Sequence, residues 1–453
     1  MASAAEQLAS NINLGAFGKA KELKKRIWFT LGALLVYRLG TYIPLPGIDT
    51  NAFSSVLQQN SGGIFGIFNL FSGGALQRMT IFALNIMPYI SASIIVQLLT
   101  AVLPRWEALK KEGEAGRRKL NQYTRLGTVF LAALQGFGIV TFIESMRTQG
   151  GGSIVLDPGL FFRVSVIVTL VGATMFLMWL GEQITARGIG NGISLIIFAG
   201  IVANFPSAIA ELFSLARAGS IKFLGSPTLA LLMTLAFIGL VVLIVVFFER
   251  AQRRLVIQYP KRQVGNKVLG GDNSHLPLRL NTAGVIPPIF ASSLLLLPVS
   301  IFQFSSSDQG GMLLWLQNNL NHGTWLYIAL YLLLILFFAF FYTAIVFNPE
   351  ETADNLKKNG GFIPGIRPGK ATAEYIDYVL TRLTVLGALY LAFICVLPEI
   401  VIADSSLPFY FGGTSLLIIV SVTIDTVGQI HSHLLANQYE GLIRKSKLKG
   451  SRG

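Results

Sequence analysis

Ten apolar segments, each long enough to cross a bilayer, recur at 27–43, 79–103, 126–143, 160–180, 189–205, 224–248, 280–302, 325–347, 379–397 and 409–427. A helix needs about 17–25 residues to cover the hydrocarbon core, and in lipid only a helix or a closed barrel leaves no backbone group unpaired. Ten runs of helical length therefore predict an all-α, polytopic membrane fold. The basic residues orient it. Of 36 Lys and Arg, 30 fall in the termini and the even-numbered connections and 5 in the odd-numbered ones, counting Arg163 and Arg382 with the connections they adjoin; Arg38 lies inside segment one. Positive charge stays on the cytoplasmic side, so both termini are expected there.

Charged residues make up 13% and apolar ones 53%, too apolar a surface for a water-soluble chain. A net charge of +14 would suggest nucleic acid in a soluble protein; here topology and anionic lipid account for most of it. The single cysteine, Cys395, lies in an apolar stretch, so burial is its expected role and no intramolecular disulfide can form. The basic run from Lys19 to Arg26 resembles the start of a signal peptide, but no small-residue cleavage site follows. Segment one is expected to be an uncleaved anchor. Five spans lie on each side of the 205–224 connection, giving expected halves 1–210 and 211–453. An odd number of spans per half sets the halves in opposite orientations, the arithmetic of an inverted repeat.

Two cytoplasmic connections are longer than joining two helices requires. One, 249–279, carries Lys261, Arg262 and Lys267; the other, 348–377, carries Lys357, Lys358 and Arg367. Both read as docking surfaces. In the external connection 51–74 the octet IFGIFNLF would cover only about 12 Å as a helix, so it is expected at the interface or dipping back between spans. No nucleotide loop, HExxH helix or GxSxG elbow is present, and GIGNGIS lacks a dinucleotide fingerprint's spacing. His431 and His433 are two apart, on different sides of a helix. No enzyme activity, metal or cofactor is expected. Arg38 and Asp425 differ in depth by roughly 10 Å, so each should face protein or water rather than pair directly.

Five long strings are distinctive: NLFSGGALQRMTIFALNIMPYISASIIVQLL, GATMFLMWLGEQITARGIGNGISLIIFAGI, HLPLRLNTAGVIPPIFASSLLLLP, FNPEETADNLKKNGGFIPGIRPGKATAEYIDYVLTRLT and PFYFGGTSLLIIVSVTIDT. In this order, and over about 19–449, the chain closely resembles the SecY/Sec61 alpha family of protein-conducting channels. The resemblance implies an hourglass pore between the halves, in the bacterial inner membrane. It implies an external plug, an apolar ring and a lateral gate to lipid. It also implies partner subunits SecE and SecG, and the SecA motor or the ribosome on the cytoplasmic loops. Unfolded preproteins and their signal sequences would be the cargo.

Carried over string by string, the ring would be Ile86, Ile90, Ile193, Ile197, Ile289 and Ile418. Such a ring seals by dewetting when empty and yields to any side chain. The plug, about 62–74, would include Phe65, Phe68, Asn69 and Phe71, with Gly73 and Gly74 as its mobile attachment. Segments two and three would meet seven and eight at the lateral gate, with Gln97 and Asn281 bonding across it. Pro88, Pro287 and Pro288 would break the gate helices. Lys261, Arg262, Lys267, Lys357, Lys358 and Arg367 would dock cytosolic partners, Arg367 from the tight turn of GIRPG. In one departure, many relatives carry two adjacent arginines after segment six, where this chain has Asn266 and Lys267. Lysine cannot make arginine's bidentate contacts, which bears on how strongly this tip binds its partner. The alternative reading is an ion- or proton-coupled solute carrier. It needs a compact polar site at midplane, where this chain has isoleucines and glycines.

Overall fold

The computed structural model describes residues 21–59, 69, 72–145, 153–217, 227–259, 262–264, 267–269, 273–303, 324–405 and 413–450. The elements run α1 (Lys21–Gly40), α2 (Thr50–Gln59), α3 (Met87–Val102), α4 (Pro104–Lys111), α5 (Glu114–Ser145), α6 (Leu160–Arg187), α7 (Gly192–Arg217) and α8 (Pro227–Arg250). Strands β1 (Gln252–Gln258), β2 (Arg262–Val264), β3 (Lys267–Leu269) and β4 (Asn273–Arg279) follow. Then come α9 (Ile286–Gln303), α10 (Trp325–Val346), α11 (Pro349–Lys358), α12 (Lys370–Ser405) and α13 (Gly413–Gly450).

The molecule is predominantly helical, and α1, α3, α5–α10, α12 and α13 fall on the ten apolar segments. Seven of the described helices are each long and apolar enough to cross a membrane, and α3 with α4 makes an eighth if counted as one bent span. Of the remaining two, α9 is an 18-residue helix that is apolar along its length, and α1 opens on Lys21, Glu22, Lys24, Lys25 and Arg26, which set its start outside the apolar core. Outward faces are apolar, as lipid contact requires: Leu232, Leu235, Leu243 and Phe247 of α8 are exposed.

Prolines set several boundaries, in a different way from the sequence expectation. Pro88 lies in the first turn of α3, and Pro287 and Pro288 are the second and third residues of α9. There the missing N–H has no partner to lose. These three prolines start α3 and α9 and do not break them there. Leu103, pushed to extended geometry (φ −94°, ψ 117°) by Pro104, ends α3, and the chain turns 99° into α4. Pro206 lies inside α7, Pro298 inside α9 and Pro398 inside α12. α7 continues to Arg217, through the expected 210/211 division.

Helices α1, α3, α5, α6 and α7 pack on one another, as do α8, α9, α10, α12 and α13. The two groups meet along two seams. On one, α9 lies against α3 and α5; on the other, α7 lies against α8 and α13, and α1 against α13. A single apolar cluster runs between the groups. Cys395 is buried in it, as expected.

Candidate pore, gate and docking surface

Helices α3, α7, α9 and α13 carry the six isoleucines into one apolar cluster. Ile86, Ile90, Ile197, Ile289 and Ile418 are buried within the one cluster shared by both helix groups, and the partly buried Ile193 packs against it. Ile86 stands at the helix boundary of α3 (φ −98°, ψ 5°), and the Ile90 N–H bonds its carbonyl at 3.1 Å. The pair is thus stacked one turn apart where the helix begins. Ile289 is likewise the fourth residue of α9.

Phe65, Phe68 and Phe71 lie outside the described residues. The segment expected to attach the plug is described, and it is tied down. The Asn69 amide nitrogen donates to Gln77 Oε1 at 3.3 Å, and its Oδ1 accepts from the Gln77 N–H at 3.1 Å. The Asn69 carbonyl accepts from the Gly74 N–H at 3.1 Å and from Asn204 Nδ2 of α7 at 3.5 Å. Gly73 and Gly74 take left-handed conformations, φ +66° and +81°, which only glycine adopts without steric cost. A Cβ on Gly73 would come within 3.0 Å of the Gly200 backbone in α7. These glycines make a close-packed turn instead of the loose tether expected from sequence. Arg38 clasps that turn. Its Nη1 donates to the Gly73 carbonyl at 3.0 Å and its Nη2 to the Tyr42 hydroxyl at 2.8 Å. The Tyr42 ring meets both the Arg38 and the Arg78 guanidinium, 4.9 and 4.3 Å from its centroid, a favourable cation–π arrangement. Arg38 faces protein and leaves Asp425 to Arg279, 3.5 Å away, so the two intramembrane charges do not pair with each other.

At the gate seam the structure corrects the expected bridge. Gln97 donates to Ser93 of its own helix at 3.2 Å, and its Oε1 has no partner among the described residues. Asn281 instead donates to Glu249 Oε1 at 2.7 Å and to the Gly284 carbonyl at 3.1 Å. The two amides do not meet, because Asn281 precedes α9 and turns back toward α8. α9 closes directly on α3 and α5, whereas α10 faces them across a cavity of about 730 Å³. Ser93, Gln97, Thr100 and Thr124 line one wall, Tyr342 and Ile345 the other, and Glu107, Lys110 and Arg117 the rim.

The two long loops form one body. β1 pairs antiparallel with β4, and Gln258 exchanges backbone hydrogen bonds with Phe362 of the second loop at 2.9 and 3.0 Å. Leu255 and Leu278 share an apolar cluster with Ile363 and with Ile376, Val379 and Leu383 of α12. β2 pairs with β3, Val264 opposite Lys267, which sets Arg262 and Lys267 in a tight outer hairpin; Lys261 lies outside the described residues. Lys357 and Lys358 occupy the last turn of α11, opposite Glu350 and Glu351 in its first. They suit the helix dipole there as well as any partner. The N-cap is Asn348, whose Oδ1 accepts from the Glu350 and Glu351 N–H groups. The expected turn at Arg367 is displaced: the hydrogen-bonded turn is 363–366, built by Pro364 and Gly365, with the Ile366 N–H bonding the Ile363 carbonyl at 3.1 Å and φ +84° at Gly365. Arg367 stands two residues past the tip, exposed, with its carbonyl held by Thr372 Oγ1 at 2.8 Å.

The SecY family model matches residues 80–427. Protein translocase subunit SecY of Rickettsia typhi is 54% identical over 430 residues, covering 95% of this chain and 98% of that protein. The chain belongs to the SecY family. It is a multi-pass membrane protein of that family's fold. A solved protein-conducting channel superposes with a TM-score of 0.65 at 17% identity, covering 91% of this chain and 92% of that one. Canine Sec61 in a ribosome–channel complex gives 0.61 at 16%, covering 91% and 92%.

Residues that sequence reasoning passed over hold this SecY fold together. Thr30 Oγ1 of α1 accepts from the Ile189 N–H at 3.0 Å, and Gln429 Oε1 of α13 accepts from the Gly190 N–H at 2.8 Å. The GIGNGIS turn is thereby pinned to both helix groups at the seam where α1 and α7 meet α13. The only sequence signal was the left-handed demand of its glycines, met at Gly190 with φ +86°.

Proposed function

We propose that this chain is the central subunit of a protein translocation channel. Unfolded preproteins pass between two inverted halves, and transmembrane segments leave sideways into lipid. The observation that carries this reading is the joining of six isoleucines from both helix groups into one apolar cluster, beside the tethered end of the plug. A passage for chains of any sequence has no use for a specific polar site. It needs a seal that dewets when empty. The seam of α3 and α5 with α9 would be the lateral gate, and the largely apolar cavity facing α10 the entry for a signal sequence. The joined cytoplasmic loops, with Arg262, Lys267, Lys357, Lys358 and Arg367, would receive the SecA motor or the ribosome. SecE and SecG would complete the complex in a bacterial inner membrane, with both termini cytoplasmic.

The test is transport into liposomes that hold the purified chain with its partner subunits. With SecA and ATP outside, a preprotein should become protease-protected. A proton- or ion-coupled carrier would instead accumulate a solute against a gradient and leave the preprotein accessible.

A further inference from the structure

This inference rests on reading the two cytoplasmic loops as the docking surface. β1 leaves α8 just after Arg250 and β4 returns at Arg279, with Gln252 opposite Arg279 in the ladder. The Leu280 N–H bonds the Ala251 carbonyl at 3.0 Å and closes the base of the hairpin. The next residue, Asn281, is 5% exposed. Besides its bonds to Glu249 and to the Gly284 carbonyl, its Oδ1 accepts from the Gly284 N–H at 3.1 Å. Gly284 is left-handed, φ +63°, and α9 begins two residues later, with Ile289 in its first turn. Gly387 of α12 presses from behind: a Cβ there would stand 2.7 Å from the Leu280 carbonyl. One buried side chain therefore joins the end of α8, the exit of the docking body and the entry to the gate helix.

Ser421 of α13 also bonds Glu249, and a further polar link at this level is weaker. Arg279 and Asp425 are 3.5 Å apart and more than half exposed on both sides, and such pairs contribute little. A short bond from a buried amide to a carboxylate is the stronger kind. We propose that Asn281 is the positioning residue that links docking to gating. Bonded to Glu249, it holds α9 against α3 and α5. A partner that shifts the docking body draws Asn281 off Glu249 and releases α9.

Asn281→Asp sets two carboxylates face to face. Adding Glu249→Gln exchanges the two groups and rebuilds the bond with the amide on the other side. Proteoliposomes with the partner subunits and SecA would be given two preproteins, one with an intact signal sequence and one with its apolar core disabled. Asn281→Asp should pass the disabled preprotein about tenfold faster than the parent at unchanged SecA affinity, and the double variant should return to parental selectivity. Asn281→Ala, which removes the bond without adding charge, should relax selectivity in the same direction and serves if the Asp variant fails to insert. Parental selectivity in both single variants, or a double variant as relaxed as Asn281→Asp, overturns the proposal. A parent that moves no intact preprotein overturns the channel reading itself, and is told apart because every variant then fails equally.

Discussion

At the scale of single residues, two arginines carry the most. Arg38 donates to the Gly73 carbonyl and to the Tyr42 hydroxyl. A hydrogen bond from a charged group contributes about 1.5–3 kcal/mol, so its loss should raise the open fraction of the plug by roughly ten- to a hundredfold. Arg38→Gln is therefore expected to raise resting conductance in planar bilayers by about that range, and unchanged conductance at equal abundance would refute the clasp. Arg367 is exposed on a connection fixed by Pro364, Gly365 and Thr372. Arg367→Lys keeps the charge and the topology but removes the guanidinium fork. We expect SecA-driven translocation to fall at least several-fold at equal membrane abundance; a parental rate would leave only the charge relevant. The clasp was not legible in the sequence. Arg38 and Gly73 are 35 positions apart, and Tyr42 looks like any interfacial aromatic at a span's end. Cys395 was legible, because an apolar neighbourhood alone dictates burial.

At the scale of elements, length and apolarity placed all ten segments on helices, of which seven among the described residues, or eight with the bent pair, are long and apolar enough to span, but did not show which face of each helix looks inward. In lipid both faces of a span are apolar, so the amphipathic stripe that orients a soluble helix is missing. The isoleucines were found through whole matching strings, isoleucine being common in any span. Their convergence leads to a direct test. Ile90→Asn combined with Ile193→Asn should hydrate the constriction and raise resting conductance severalfold, while insertion persists because the ten spans stay overwhelmingly apolar. A folded double variant with parental conductance would place the constriction elsewhere. The gate bridge was misread for a related reason. Gln97 and Asn281 are both amides near segment ends, and nothing in the sequence disclosed that α9 starts only at Ile286.

At the scale of the whole molecule, the alternating density of basic residues predicts that the joined loops face the cytoplasm. With Cys395 replaced, single cysteines at Ser274 and Asn359 should resist an impermeant thiol reagent added outside intact cells, and one at Asp308 should react. Labelling of position 359 from outside would invert the topology. The joining of the loops was itself illegible, since the Gln258–Phe362 bridge links residues more than a hundred positions apart. The docking body leans on the first turns of α12, from Lys370 down to Gly387 beside Asn281. Segment nine begins at residue 379, so nine helical residues, 370–378, stand about 13 Å above the apolar span. A partner seated on that mast would be held clear of the hydrocarbon core by about the same height, and an extended chain crosses such a gap with about four residues. Cargo leaving the partner would thus have that many residues sheltered by the loops before the first of them enters the membrane, too few to form a stable helix of its own.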